Sequence, residues 1–210
     1  MVLTSTSPLQ QLFLAIVARD AARVSRLLAE APLLAKQPLA LGATRENPSQ
    51  FYFESITHYA YAGDTALHVA AAAYAVVIAN SLLAQGAHVS ARNRRGAEPL
   101  HYACDGVPGS PAWDPGAQYA VVKLLLEAGA NPNAEDKSGV CPLHRAVRTR
   151  STGAVRALLE HGAQASRANK SGSTPLSLAL HDTGRGGSGS AEAREQQAQI
   201  VALLRSHGAK

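Results

Sequence analysis

The chain has 210 residues, a length that allows one or two globular domains or a single array of repeats. Hydrophobic residues make up 46% of the sequence and aromatic residues only 5%, so a core must be built mainly from Ala, Leu and Val. The net charge of +5 permits an acidic partner, but it is too small to indicate a nucleic-acid-binding protein.

Two features of the sequence bear on the cellular compartment. The segment from Met1 to Pro8 lacks the basic region and apolar run of a signal peptide, and no apolar stretch is long enough to span a membrane. Cys104 and Cys141 are too few for a disulfide framework, so we expect buried, reduced thiols. We therefore predict a cytoplasmic protein without membrane contact.

The first predicted element is a pair of helices in residues 9–31. Leu12 and Ile16 lie about one helical turn apart, and Val24 and Leu28 repeat that spacing after a turn. Polar residues on the remaining faces suit a segment whose outer side meets water. We expect this pair to begin the fold.

Residues 32–62 connect this pair to the rest of the chain and show no helical pattern. Connections of this length are usually functional or disordered, but the aromatic content of this one argues against disorder. Either the segment folds back over the core, or its tyrosines form part of a binding surface. It contains half of the ten aromatic residues of the chain, namely Phe51, Tyr52, Phe53, Tyr59 and Tyr61.

A four-residue phrase recurs from residue 63 onwards, each time followed by a Leu-Leu run that closes on Gly-Ala. The leucine of the phrase stands at positions 67, 100, 143 and 176, so a spacing of 33 is interrupted once by ten extra residues. A fixed period of this size indicates stacked supersecondary units. The copies are Thr65–His68, Glu98–His101, Cys141–His144 and Thr174–Ser177.

This pattern resembles the ankyrin repeat, because two separate motifs recur in register. The resemblance implies an all-α solenoid of about five helix-turn-helix repeats, in which the first and last act as caps and one finger is extended. The expected segments are a degenerate capping repeat (9–31), the extended finger (32–62) and four repeats (63–92, 93–135, 136–168 and 169–210). Two inserts, 105–118 and the Gly/Ser-rich 183–190, are predicted to be loops.

His68, His101 and His144 occupy the same position in successive repeats. They should stand about 10 Å apart, which is too far for one ion when Zn–N bonds are about 2 Å long. The resemblance implies instead that each imidazole hydrogen-bonds backbone between neighbouring fingers. We predict no metal and no cofactor. We also predict no enzyme activity, because paired carboxylates, a spaced Cys–His pair and a nucleophile elbow are missing.

The primary hypothesis is therefore a protein–protein interaction module, with a partner that carries an acidic surface. In ankyrin-like arrays, partners are bound by finger tips and by the exposed ends of the first helix of each repeat. The matching positions here are Tyr61, Asp64, Arg92, Arg94, Arg95, Asp105, Glu135, Lys137, Arg148, Thr149, Lys170 and His181.

An alternative is a small anionic or phosphorylated ligand, bound in a basic notch between the Trp113 loop and the Gly-rich loop. Arg145 and Arg148 are three residues apart and should share a helix face. The residues predicted for this site are Trp113, Arg145, Arg148, Arg150 and Arg185. A separate expectation concerns the uncharged helix around Val77, which could support weak self-association.

Overall fold

The structure is a computed structural model that describes residues 7–106, 113–181 and 191–210. The described residues form ten α-helices, with a short two-stranded sheet and three turns of 3-10 helix in the extended finger region. The helices are α1 (Pro8–Val17), α2 (Ala21–Glu30), α3 (Ala66–Ala72), α4 (Val76–Ala84), α5 (Pro99–Ala103), α6 (Pro115–Glu127), α7 (Pro142–Arg148), α8 (Thr152–Glu160), α9 (Pro175–Leu180) and α10 (Ala191–Ser206).

Local sequence determines where these helices begin. Ser7 and Gln10 form a capping box at the start of α1, in which each side chain bonds the backbone N–H of the other residue. Four of the odd-numbered helices (α1, α5, α7 and α9) begin with a proline, whose missing N–H would have no helical partner at that position. Asp20 caps α2 by accepting a hydrogen bond from the backbone N–H of Arg23 at 2.9 Å.

The helices stack in two rows, as the repeat period predicts. The odd-numbered helices α1, α3, α5, α7 and α9 contact one another in sequence and form the inner row, while the even-numbered helices form the outer row. Leu12, Leu67, Leu100 and Leu143 take the same place in successive layers and are at most 1% exposed. Their burial makes the core continuous along the array. The prediction of an all-α solenoid is confirmed.

The fingers between repeats are joined by main-chain hydrogen bonds. The backbone N–H of Arg94 donates to the carbonyl of Ala62 at 2.7 Å, and that of Lys137 donates to Arg95 at 2.9 Å. Lys170 continues the series by donating to Ser138 at 3.0 Å. Main-chain groups therefore connect each of these finger tips to the previous one.

The extended finger folds back on the array through an aromatic hairpin, defined as residues 51–61. Its strands, β1 (Tyr52–Phe53) and β2 (His58–Tyr59), are antiparallel. The ring of Phe53 packs edge-on against Phe13 of α1, with 6.5 Å between centroids. The hairpin therefore completes the core at the first repeats, which is one of the two interpretations left open by the sequence.

The loop in the third repeat is shorter than the predicted loop of residues 105–118, because the last residues of this insert are helical. Helix α6 already begins at Pro115, so the prediction of a loop through residue 118 is wrong at its end. Asp114 caps this helix by accepting from the N–H groups of Gly116 and Ala117, both at 2.9 Å, and proline is well suited to the first helical position. Residues 107–112 and the insert 183–190 lie outside the described residues.

None of the helices in the described ranges combines the length and the apolar character needed to cross a bilayer.

Candidate interaction surface

A groove with a volume of about 1010 Å³ runs along the inner row of helices. The aromatic hairpin forms one wall, and the C-terminal ends of α3, α5 and α7 contribute the floor. Trp113 and Asp114, at the end of the third-repeat insert, line the same groove. The two irregular segments of the chain therefore meet over one concave surface.

The three repeated histidines link adjacent fingers beneath this surface. In each, Nδ1 accepts a hydrogen bond from the backbone N–H at the start of its own helix, at 3.1 Å in all three cases. Nε2 must then carry the proton, which it donates to a carbonyl of the next finger, as His101 does to Val140 at 3.0 Å. His68 donates in this way to Ala97 and His144 to Ser173. The expected backbone role of these residues is confirmed.

This arrangement needs a neutral imidazole. Burial is the largest influence on all three histidines and lowers their pKa, with that of His101 falling to about 4. In the fifth repeat Ser177 takes this position and bonds only within its own turn.

Asp64 belongs to the interior and not to the surface for which it was predicted. Its side chain is fully buried and accepts hydrogen bonds from the Tyr102 hydroxyl at 3.0 Å and the Asn93 amide at 2.9 Å. It also accepts from the backbone N–H of Tyr61 at 2.6 Å. Burial beside this carboxylate raises the pKa of Tyr102 well above its ordinary value. Asp64 therefore stabilises the second and third fingers and cannot contact a partner.

Thr149 is a second predicted contact residue that lies inside. Only 9% of it is exposed, and its hydroxyl is within 3.1 Å of the carbonyl oxygens of Cys104 and Ala146. The hydroxyl is therefore used at the end of α7 to hold that turn against the third repeat.

Asp105 and Arg145 form an ion pair on the floor of the groove. Arg145 Nη1 lies 2.6 Å from Asp105 Oδ2, and its Nη2 lies 3.1 Å from Asp136 Oδ2. His58 of the aromatic hairpin approaches the same Asp105 oxygen at 3.5 Å, and its ring lies 4.3 Å from that of Tyr102. One carboxylate therefore connects the hairpin, the third repeat and the fourth.

Gln118 holds the two ends of the third-repeat insert together. It is fully buried, and its Nε2 donates to the carbonyls of Ala103 at 3.0 Å and Asp105 at 3.1 Å. Its Oε1 accepts from the indole N–H of Trp113 at 3.0 Å. The hydroxyl of Tyr74 also donates to the Asp105 carbonyl. Asp105 and Trp113 are thus fixed at the groove whatever the path of residues 107–112.

The finger tips carry a row of exposed cations, which we name the basic ridge: Arg94, Arg95, Lys137 and Lys170. Within the described part of the chain, none of these four side chains has a carboxylate oxygen within 4.0 Å. Two other predicted tip residues are engaged in the fold. Arg92 lies 3.9 Å from Glu98 and also donates to the Glu135 carbonyl, and Glu135 pairs with Arg167.

The basic notch of the alternative hypothesis is not formed by the residues that the structure describes. Arg145 is held between two carboxylates and its side chain is only 13% exposed, while Arg150 is 5% exposed. Arg148 is exposed, but the cavity that it shares with Arg150 and His181 has a volume of only about 10 Å³. Arg185 lies outside the described residues. Trp113, Arg145 and Arg148 all line the larger groove instead, where Arg145 is already paired with Asp105 and Asp136.

Sequence reasoning missed several residues that shape this surface. His58 and Gln118 were not predicted to have a role, and both act through contacts with residues far away in the sequence. The sequence suggested a binding role for the tyrosines of the extended finger as a group, but not the pairing that places Tyr52 and Tyr59 on the same face of the hairpin. In the described ranges, no group of three or more His, Cys, Asp or Glu residues is arranged to hold a metal ion.

Comparison with known families matches most of the repeats. A model described as ankyrin repeats, in three copies, matches residues 112–210, and one described as an ankyrin repeat matches residues 62–94. Together the two matches cover more than half of the chain, and they include α3, α4 and the helices from α6 onwards.

Proposed function

Because the chain belongs to the ankyrin-repeat family, we propose that it is a protein–protein interaction module that binds an acidic segment of a partner. Members of this family generally bind other proteins. The groove and the basic ridge are the surfaces we assign to the contact. The observation that carries the proposal is the row of four exposed cations on adjacent finger tips, because unpaired arginine and lysine side chains attract carboxylates.

The usual role of the family and the residues of the candidate surface both favour binding over catalysis. We therefore propose that the protein is not an enzyme. We propose the cytoplasm as its location, since Cys104 and Cys141 are both buried and form no disulfide within the described residues. We retain weak self-association through α4 as a separate proposal. Val77 is 75% exposed there, and Asn80 and Ala84 on the same side carry no charge.

Affinity capture from a lysate of the producing cells, read by mass spectrometry, tests the proposal. The double variant Arg94→Glu/Arg95→Glu should reduce recovery of the main captured protein about tenfold or more, because it reverses the charge of both arginines of the ridge. The control Arg26→Glu/Arg156→Glu makes the same change in charge on exposed outer-row residues and should bind like the unaltered chain. Equal recovery with both double variants would contradict the proposal.

Salt gives an independent measurement on the same complex. If ridge cations meet carboxylates near solvent, the association rate should fall as ionic strength rises, because the screening length shortens from about 10 Å at 0.1 M to about 3 Å at 1 M. A rate that does not change with salt would indicate an apolar contact elsewhere.

A further inference from the structure

The aromatic hairpin has two chemically different faces. Successive residues of a strand point to opposite sides, and Tyr52 and Tyr59 are direct partners across the hairpin, as are Phe53 and His58. Phe53 and His58 pack inwards against Phe13 and Tyr102. Tyr52 and Tyr59 remain 38% exposed each. The pattern gives this segment an inner face that completes the core and an outer face made of tyrosine.

The tyrosines of the outer face are in mutual contact. The ring centroids of Tyr52 and Tyr59 are 4.6 Å apart, and those of Tyr59 and Tyr61 are 6.5 Å apart. Both distances lie in the range in which aromatic rings attract each other. The three rings therefore form an ordered row, and little side-chain entropy remains to be lost when another molecule packs on it.

The row of rings runs directly into the basic ridge. The guanidinium carbon of Arg95 lies 5.0 Å from the centre of the Tyr61 ring, and that of Arg94 lies 5.5 Å from it. Arg95 also donates one of its N–H groups to the Tyr61 hydroxyl at 3.0 Å. Arg94 donates to the carbonyl of Ala43. Both cations are thus held in place by the extended finger while their side chains stay exposed.

We propose that Tyr52, Tyr59, Tyr61, Arg94 and Arg95, here called the Tyr–Arg stripe, anchor the partner, and that the partner presents a carboxylate next to an aromatic or aliphatic side chain. The carboxylate pairs with the fixed guanidinium groups, whose planar N–H edges suit two-point contact with its oxygens. The apolar neighbour packs on the exposed rings of Tyr52 and Tyr59. This inference rests on the proposed function and names the residues that contribute most of the binding free energy.

The position of the stripe fits a partner that also enters the groove. Tyr59, Tyr61 and Arg95 line the groove wall, so a segment anchored on the stripe continues over Asp105 and Trp113. Tyr and Arg are the residue types most often found where a few side chains carry most of the binding free energy. The other ridge cations, Lys137 and Lys170, lie on later fingers and have no aromatic ring beside them in the described structure.

Stacked tyrosines beside arginines are also used to bind single-stranded nucleic acid, so that class of ligand has to be separated from a protein. The observations favour protein because the family binds proteins and because the net charge of +5 is small.

In the experiment, phage-displayed random peptides of about twelve residues are selected for binding to the full chain. The enriched peptides are then synthesised, and the Kd of each is measured. We expect enriched sequences to place Asp or Glu beside an aromatic or aliphatic residue. Tyr59→Ala and Arg95→Gln should each raise the Kd about tenfold or more, which corresponds to about 1.4 kcal/mol. The control Tyr119→Ala, at a tyrosine that is 37% exposed on α6, should leave the Kd within about twofold.

The outcomes separate the two proposals. Enriched peptides whose affinity is unchanged by both stripe variants, but reduced by Arg148→Glu in the groove, would overturn the stripe and leave the proposed function standing. Failure to enrich any peptide would count against the proposed function itself. Urea unfolding checks each variant, and Arg95→Gln, at an exposed side chain, keeps the test valid if Tyr59→Ala perturbs the hairpin. Tighter binding of oligothymidylate than of every peptide, lost in Tyr59→Ala, would replace the protein partner by a nucleic acid.

Discussion

Arg145 reaches from the fourth repeat to Asp105 of the third, where its Nη1 lies 2.6 Å from the carboxylate Oδ2. Burial alone would raise the pKa of Asp105, but the charges of Arg145 and His58 outweigh it and hold that pKa at about 2. The carboxylate is therefore ionised throughout the physiological pH range. The pair fixes the floor of the groove, and it couples the third repeat, which carries the insert, to the fourth repeat.

Replacing Arg145 by Met should lower the free energy of unfolding by about 2–4 kcal/mol, because Asp105 and Asp136 would both lose their cationic partner. Urea denaturation measures this change. Lys123→Met is the matched control, since Lys123 forms an exposed pair with Glu127 at 3.7 Å and should contribute less than about 1 kcal/mol. Similar losses in the two variants would show that the groove pair has no special role in stability.

Stability should fall as the pH is lowered from about 6.5 to about 4. The pKa of His101 is about 4 in the folded chain and near 6.5 when unfolded, so over this range the unfolded state binds a proton that the folded state does not. His101 alone accounts for up to about 3 kcal/mol of this loss, and His68 and His144 act in the same direction. Urea unfolding at several pH values measures how the free energy of unfolding changes with pH.

His101→Gln isolates the contribution of this residue, because glutamine can serve the same capping position without titrating. The variant should be less stable at pH 7 but should lose less stability than the unaltered chain on acidification. An identical pH dependence in both proteins would show that His101 is not neutral and buried in solution.

Two glycines with the same backbone conformation should respond differently to alanine. Gly63 and Gly162 have φ angles of 89° and 86°, so each substitution carries the left-handed cost of about 1–2 kcal/mol. A Cβ at Gly63 would also lie 2.7 Å from the Cα of Asn93, whereas one at Gly162 would have no neighbour within 4 Å. Gly63→Ala should therefore lower the melting temperature clearly more than Gly162→Ala. Equal shifts in melting temperature would mean that Gly63 does not pack closely against Asn93 of the next finger.

Gln118→Leu should release the ends of the third-repeat insert. The change leaves the Trp113 indole N–H and the carbonyls of Ala103 and Asp105 without their amide partner, at a cost of about 1–3 kcal/mol. Trp113 is the only tryptophan, so its fluorescence should shift to longer wavelength as the ring gains contact with water. Gln85→Leu, at an exposed position after α4, should change neither the emission nor the stability.

Most of the fold could be predicted from the sequence because it depends on local and periodic signals. The leucine of the repeated phrase recurs in register, and it is the second residue of its helix in each copy, namely Leu67, Leu100, Leu143 and Leu176. The same logic predicted the role of the three histidines, through the resemblance of the phrase to a known repeat. The start of α6 was not predicted, because the prolines and glycines of the insert indicate a loop, whereas Pro115 occupies the first position of the helix, which proline favours.

The site was less predictable because its side chains are positioned by distant partners. Asp64 follows a turn glycine and has the sequence context of an exposed finger residue, yet Asn93 and Tyr102 bury it. Arg145 and Arg148 are three residues apart on one helix, but only Arg145 meets two carboxylates, and it turns inwards. Neither pairing leaves a periodic signal in the sequence.

The finger tips are joined through backbone amides and carbonyls, from Ala62 to Arg94, from Arg95 to Lys137 and from Ser138 to Lys170. Any residue except proline supplies the same amide, so these main-chain links do not depend on which side chains stand at the tips. The chain can therefore acquire a new binding preference by simple exchange of tip residues while the architecture beneath is inherited unchanged.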